Sequence, residues 1–339
     1  MSVIVRVAAR GEGVAEDGRH ASFAAPGDTL AADGAVIPGP HHQPPPCRHF
    51  PRCGGCQLQH LDDEAYAGFV ADRVAGALAA HDLTAPIRST ALSPPRTRRR
   101  ATLHAEKGAR LGFTEEKSHA IVDIVECHIL APALFALVAP LRALLPKLGL
   151  KRRADVHLTL LDQGADILVT GLAAEGLAAA EAITAFCERY AVARFAIDDG
   201  LGPETRWEPE SVTITLGGLA VPFPHAAFLQ ATPEGEAALV AAVREATAGA
   251  STVADLFAGL GTFALALPAR VYAAEGARDA IAALKAAANR AGKPVFAEHR
   301  DLYRRPLTVA ELNRFDAIVV DPPRAGARAP MPALGAATP

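Results

Sequence analysis

Apolar and polar side chains alternate through Val3-Ile4-Val5-Arg6-Val7, and the chain turns at Gly11-Glu12-Gly13 and at Pro26-Gly27-Asp28, which predicts a few short strands within the first forty residues. A proline-rich stretch from Pro38 to Pro46 reads as a linker that can join neither helix nor sheet. From Asp62 to Ala80 the rhythm changes to helical spacing, with Leu61, Tyr66, Phe69, Val70, Val74 and Leu78 predicted on one buried face. Short strand patterns follow between Arg98 and Cys127, then a helix over Pro132 to Leu148, strands over Val156 to Leu160 and Ile167 to Gly171, and a helix over Glu175 to Tyr190.

Near Ser251, after a predicted helix from Glu234 to Ala248, the order becomes regular. A strand (Thr252 to Phe257), a glycine turn, a helix, a strand (Val271 to Ala274), a helix (Ala277 to Ala291) and strands at Val295 to Ala297 and Asp316 to Val320 succeed one another. Alternation of this kind implies a parallel sheet covered on both faces, with a ligand site at the carboxyl ends of its strands. The fold expected is therefore multidomain α/β: a short β segment over residues 1–40, a β-rich central domain over 41–225, and a Rossmann-like domain over 226–339.

Composition adds boundaries. No run of about 18 apolar residues exists to span a bilayer, and Met1-Ser2-Val3-Ile4-Val5-Arg6 lacks a signal-peptide layout, so the expectation is a cytoplasmic monomer without membrane contact. The formal charge of -3 invites no nucleic acid globally. Contact with RNA would have to come from local basic runs, Arg96-Thr97-Arg98-Arg99-Arg100 and Lys151-Arg152-Arg153 being the clearest.

The five cysteines are distributed unevenly. Cys47, Cys53 and Cys56 share one loop rich in Pro and Gly, where three thiols can converge as ligands of iron or zinc; a fourth ligand would be Cys127 or Cys187. Cys127 follows the last strand of its region, and a sheet edge could return it to the loop. Cys187 lies on the helical face of Ile183, Phe186 and Tyr190 and reads as a small buried hydrophobe.

At the predicted strand ends, Asp255-Leu256-Phe257-Ala258-Gly259-Leu260-Gly261 places an acid before two glycines that would let a ligand approach the backbone. Glu275 ends the next strand, where a carboxylate can accept both hydroxyls of a ribose. Gly259-x-Gly261-x-x-Ala264 also satisfies a relaxed dinucleotide fingerprint, which keeps an NAD-binding oxidoreductase with a structural zinc site as an alternative. Asp321-Pro322-Pro323-Arg324 favours methyl transfer: an acid and two rigid prolines make a fixed ledge beside a methyl donor, and Arg324 stands where amine-methylating enzymes carry an aromatic residue.

On these residues the chain resembles the bacterial RNA (uracil-C5)-methyltransferases, from its first residues to about residue 335. The resemblance implies a 4Fe-4S cluster on Cys47, Cys53, Cys56 and Cys127, S-adenosylmethionine held by Gln230 of Phe228-Leu229-Gln230, by Asp255, Phe257, Gly259, Gly261, Glu275 and Asp301, and by Asp321, and a target uracil positioned by Asp321 and Arg324. It implies an RNA partner, ribosomal rather than transfer RNA, and makes residues 1–40 a shortened form of the OB-type TRAM domain. Two departures stand out: Thr232 replaces the Asn of Phe-x-Gln-x-Asn, and the nucleophilic cysteine and glutamate base of the family's last segment are absent before Pro339. C5 of uracil attacks a sulfonium methyl only after a thiolate adds at C6. The expectation is an incomplete catalytic domain ending after its fourth strand, with turnover in doubt and a non-catalytic RNA- or donor-binding remnant as the other reading.

Overall fold

A computed structural model describes every residue except Ala109, Ala325 and Pro339. The chain forms two compact units, one of residues 1–97 and 103–142, the other of residues 98–102 and 143–339.

The first unit opens with β1 (Ser2–Val7), β2 (Gly13–Ala15), β3 (His20–Ala21), β4 (Thr29–Leu30) and β5 (Val36–Ile37), an antiparallel sheet in the order β3-β2-β1-β4-β5. Asp28 is fully buried at its turn, where its carboxylate accepts the Ala25 and Gly39 N–H groups at 2.7 Å each and faces His42 Nδ1 at 2.7 Å. The proline-rich linker is thus pinned: Gln43 N–H also donates to the His60 carbonyl at 2.9 Å. α1 (Asp63–Ala79) starts where Asp62 caps it by accepting the Ala65 N–H. Its predicted apolar face is a correction, since only Ala65 is buried within the helix and Tyr66 and Val74 are exposed. Periodicity identified the helix; the neighbouring β-sheet buries only its start, through Leu61 and Ala65 packed with Val7 and Ala25.

β6 (Arg100–Glu106) begins in the second unit and continues into the first, where it forms an antiparallel meander with β7 (Arg110–Thr114) and β8 (Ile121–Asp123). The single helix expected over Pro132 to Leu148 is two short ones, α2 (Pro132–Phe135) and α3 (Val138–Leu144).

In the second unit, β9 (Arg153–Leu161), β10 (Gly164–Thr170), β11 (Val192–Asp198) and β12 (Glu204–Trp207) lie in the order β12-β11-β10-β9, with α4 (Leu177–Tyr190) crossing over between the parallel pair β10 and β11. A hairpin of β13 (Thr213–Leu216) and β14 (Leu219–Pro222) and helix α5 (Pro233–Ala246) lead into the parallel sheet. That sheet comprises β15 (Thr252–Leu256), β16 (Arg270–Glu275), β17 (Val295–His299) and β18 (Ala317–Val320), in the order β17-β16-β15-β18, with α6 (Arg278–Arg290), α7 (Val309–Leu312) and α8 (Met331–Ala336) among its connections. The reversal of strand order beside β15 creates the crevice in which such sheets bind ligands. One core of aliphatic residues covers each face, centred on Val253, Val271 and Leu284 on one side and on Leu256, Leu302 and Leu312 on the other. The helix expected between β15 and β16 does not form. Gly259 and Gly261 adopt positive φ (+54° and +92°), and the backbone closes in hydrogen-bonded turns before Pro268.

None of the described helices is long and apolar enough to cross a membrane. Cys187 is fully buried on α4 beside Ile183 and Phe186, as its helical spacing predicted, and burial pushes its thiol up to about 12.

An inward-facing ion pair braces the β-sheet of this unit: Arg194 Nε and Nη2 reach both Asp166 oxygens at 2.8 and 3.0 Å, and Nη1 donates to the Phe223 carbonyl at 2.8 Å. Replacing Asp166 by Ala leaves a buried guanidinium uncompensated, and urea denaturation of the variant is expected to show a loss of about 3–5 kcal/mol.

Candidate functional site

Parallel register brings the carboxyl ends of β15, β16 and β18 to one level, with Leu256 opposite both Ala274 and Val320. The loops leaving those ends surround a cavity of about 760 Å³. Gln230, Phe257, Gly259, Glu275, Asp301, Asp321 and Arg324 all line it, so sequence positions spread over nearly a hundred residues converge on one space.

Each wall has a local cause. Phe257 and Ala258 donate their N–H groups to the Ala274 carbonyl at 3.0 and 3.1 Å, which ties the glycine turn to the end of β16. Glu275 completes the tie, accepting the Gly259 N–H at 2.9 Å through one oxygen and the Ala277 N–H at 2.7 Å through the other. Each oxygen retains a lone pair for a ligand hydroxyl. Asp301 Oδ1 accepts the N–H groups of Tyr303 and Arg304 at 2.9 and 3.1 Å, and the Tyr303 ring packs on Phe257 with centroids 5.6 Å apart. Asp321 follows β18, its carboxyl raised above the ordinary carboxylate value by burial, and Pro322 and Pro323 extend the same wall.

Two predicted residues lie behind the wall instead. Asp255 is completely buried; Oδ2 accepts the Ala264 N–H at 2.9 Å and Oδ1 finds no partner among the described residues. Burial, opposed by the Ala264 hydrogen bond and aided by the charges of Asp321 and Glu275, lifts its carboxyl to about 7. Gly261 is required by packing, because a Cβ there would meet Leu284 Cδ1 of α6 at 2.4 Å. Gly259 has open space where its Cβ would point. Thr232, where Asn was expected, caps α5 by accepting the Gly235 N–H at 3.1 Å, a task both residue types perform.

Sequence reasoning missed Arg100 and Tyr303 as lining residues. Arg100 belongs to one of the basic runs from which RNA contact would have to come, but part of that run turns inward. Arg99 is buried against Glu236 at 2.6 Å and reaches the Gln230 and Ala231 carbonyls, while Arg100 Nη1 donates to the Leu229 carbonyl at 3.0 Å. The three consecutive carbonyls of an irregular segment are thereby satisfied by two consecutive arginines.

In the first unit, the cysteine loop is folded by tight turns, with Phe50 N–H donating to the Cys47 carbonyl and Cys53 N–H to that of His49. It is held at both ends. Gly54 N–H donates to Thr114 O at 2.9 Å, where a Cβ would meet that oxygen at 2.6 Å. Val125 N–H donates to His49 Nε2 at 3.0 Å and Arg48 N–H to Glu126 Oε1 at 2.5 Å, which brings the segment bearing Cys127 to the loop. The four sulfurs sense one another's charge in every pairing: Cys47 with Cys127, Cys53 with Cys47 and Cys127, and Cys56 with all three. Burial raises the Cys47 and Cys53 thiols and pushes Cys56 to about 11. None is in a disulfide. Among the described residues, no group of three or more His, Cys, Asp or Glu side chains is placed to hold a metal ion.

Known proteins resemble most of the chain. An RNA methyltransferase of Zymomonas mobilis is 51% identical over 335 residues, covering 97% of this chain and 84% of that protein. The 23S rRNA (uracil(1939)-C(5))-methyltransferase of Chromohalobacter salexigens is 35% identical over 318 residues, 86% of this chain and 64% of its own length. Among solved structures, Pyrococcus abyssi tRNA (uracil-54, C5)-methyltransferase in complex with S-adenosyl-L-homocysteine shares the fold, with a TM-score of 0.74 at 20% identity over 98% of this chain and 86% of that one. No protein-family model matches the chain.

Asp255 gives this site a pH signature. Its carboxyl titrates at about 7 in the folded protein against 3.8 for the free group, so the folded state holds the extra proton between those values and loses stability as pH rises through them. The Asp255→Asn variant lacks this titration. Urea midpoints measured at several pH values should show its stability rising relative to the parent between pH of about 4 and 7 and holding level above; a pH-independent difference would contradict the assignment.

Proposed function

The chain belongs to the RNA methyltransferase family that includes the uracil-C5 enzymes, and from that membership we propose that its second unit serves S-adenosylmethionine-dependent methylation of uracil C5 in RNA. The observation that carries this reading is the convergence of Gln230, Gly259, Glu275, Asp301, Asp321 and Arg324 on one cavity at the carboxyl ends of three parallel strands. Ribosomal RNA is the favoured substrate class, because the relative named for 23S rRNA matches in sequence while the tRNA enzyme matches in fold alone.

Bound at this cavity, S-adenosylmethionine supplies an electrophilic methyl group. Glu275 accepts the ribose hydroxyls with the lone pairs left after its two backbone bonds. The open space at Gly259 would admit the donor against the backbone, Phe257 and Tyr303 would furnish apolar surface for its adenine, and Asp301 and Gln230 would supply polar contacts to it. Asp321 and Arg324 present an acceptor and a fork of donors to the edge of a uracil, whose own imide N–H and carbonyls are complementary to that pair. Asp255 acts from beneath, fixing the glycine turn through the Ala264 N–H. Among the described residues no cysteine lines the cavity; Cys187 is sealed in α4 with its thiol protonated. Attack at C6 is therefore a role that these lining residues do not fill.

For the first unit we propose that Cys47, Cys53, Cys56 and Cys127 bind a 4Fe-4S cluster. All four are free, partly or fully desolvated and in mutual electrostatic reach, yet not gathered around one ion. A polynuclear cluster, in which each thiolate takes a different iron, is preferred to a single zinc on the resemblance to the uracil-C5 enzymes. The cluster's contribution here is structural, a covalent clasp between the loop and the segment after β8, since methyl transfer consumes no electron.

Two tests follow. Anaerobic reconstitution with iron and sulfide should give a brown protein with about four irons per chain; serine at any of the four positions should lower the iron content, and Cys187→Ser should not. Incubation with methyl-labelled S-adenosylmethionine and unmodified ribosomal RNA should show both ligands bound and any transferred label on C5 of uracil. Label on a ring or exocyclic nitrogen would contradict the uracil-C5 reading, because nitrogen acceptors need no thiolate.

A further inference from the structure

Arg100 differs from the other arginines drawn into this unit. Arg99, Arg194 and Arg300 are each buried against a carboxylate, those of Glu236, Asp166 and Glu311, at 2.6, 2.8 and 2.8 Å. Arg100 is partly buried and lines the cavity, yet no carboxylate among the described residues pairs with it. The charged group that acts on it is another cation, Arg98, and burial together with that repulsion lowers its pKa. A guanidinium removed from water without a counter-charge is costly, and the cost is recovered when an anion arrives.

The side chain is nevertheless held in place. Nη1 is anchored on the Leu229 carbonyl at 3.0 Å and the guanidinium lies 4.7 Å from the centroid of the Phe228 ring. Phe228 is itself 64% exposed and lines the cavity, so the pair forms a braced cationic wall rather than a mobile surface arginine. Of the guanidinium's five donors, one bond satisfies only one. The other charged lining residues are Glu275, Asp301 and Asp321, which suit hydroxyl, amine and imide donors and repel anions, and Arg324, an exposed cation to which the proposed function gives the uracil edge.

We infer that Arg100 is the oxyanion-binding residue of this cavity, taking through its free N–H donors a carboxylate or phosphate carried by the bound ligand. The inference rests on the cavity being the site of donor and RNA binding. Two ligand groups have the required chemistry: the carboxylate of the donor's amino-acid moiety and a phosphate flanking the target nucleotide.

Equilibrium binding to the full chain distinguishes them. S-adenosylhomocysteine, 5′-methylthioadenosine (the same nucleoside thioether without the carboxylate) and a short uridine-containing RNA are titrated against the parent, Arg100→Met and Arg100→Lys. Arg100→Met is expected to weaken one oxyanion-bearing ligand by about tenfold or more, with Arg100→Lys recovering part of the loss and 5′-methylthioadenosine unaffected. Loss on S-adenosylhomocysteine assigns the carboxylate; loss on the RNA, with a reduced salt dependence, assigns the phosphate. Unchanged binding of both by Arg100→Met, or an equal loss for 5′-methylthioadenosine, overturns the inference and leaves Arg100 as a brace for Phe228 and Leu229. A parent chain that binds neither S-adenosylhomocysteine nor RNA overturns the reading of the cavity itself, and the inference with it.

Discussion

The site depends on the parallel register that sets Leu256 of β15 between Ala274 of β16 and Val320 of β18. With those positions level, Glu275 and Asp321 leave their strands on either side of β15, and the turn after Leu256 runs between them. Backbone hydrogen bonds then make the turn part of the sheet, because Phe257 and Ala258 both donate to Ala274 and Gly259 donates to Glu275. A slip of one residue would turn Asp255 toward the opposite face and remove the anchor of Ala264.

Charge is arranged around that frame with little slack. Asp255 is buried without a cation, which is why its carboxyl holds a proton to about 7. Arg300 illustrates the opposite solution: it bonds both oxygens of Glu311, lowering that carboxyl to about 2, and its Nη1 also reaches the Tyr272 hydroxyl at 3.4 Å. The first group is neutral and poised near neutral pH; the second is a permanent brace between β17 and α7. Arg100 belongs to neither kind, since it is desolvated and uncompensated at the edge of the cavity.

Much of this was legible in the sequence. Period-two and helical patterns located most strands and helices, and the order after Ser251 dictated a parallel sheet, at whose strand ends the cavity lies. Cys187 was correctly read as core from its neighbours on α4. What escaped was whatever depends on contacts distant in sequence. Nothing in local spacing says that Gly261 is dictated by Leu284, that α1 has little to bury its apolar residues against, or that Arg99 and Arg100 turn inward to meet the carbonyls of Leu229, Gln230 and Ala231. β11 and the β13–β14 hairpin were missed because their short apolar runs lie between stronger signals.

Hydrogen exchange of the full chain with and without S-adenosylhomocysteine tests the central claim most directly, because it reports where the donor sits irrespective of turnover. The account predicts slowed exchange in peptides covering residues 255–263, 275–277, 301–303 and 321–324, and none in the cysteine loop. Protection confined to other segments, or absent at saturating ligand, would contradict it.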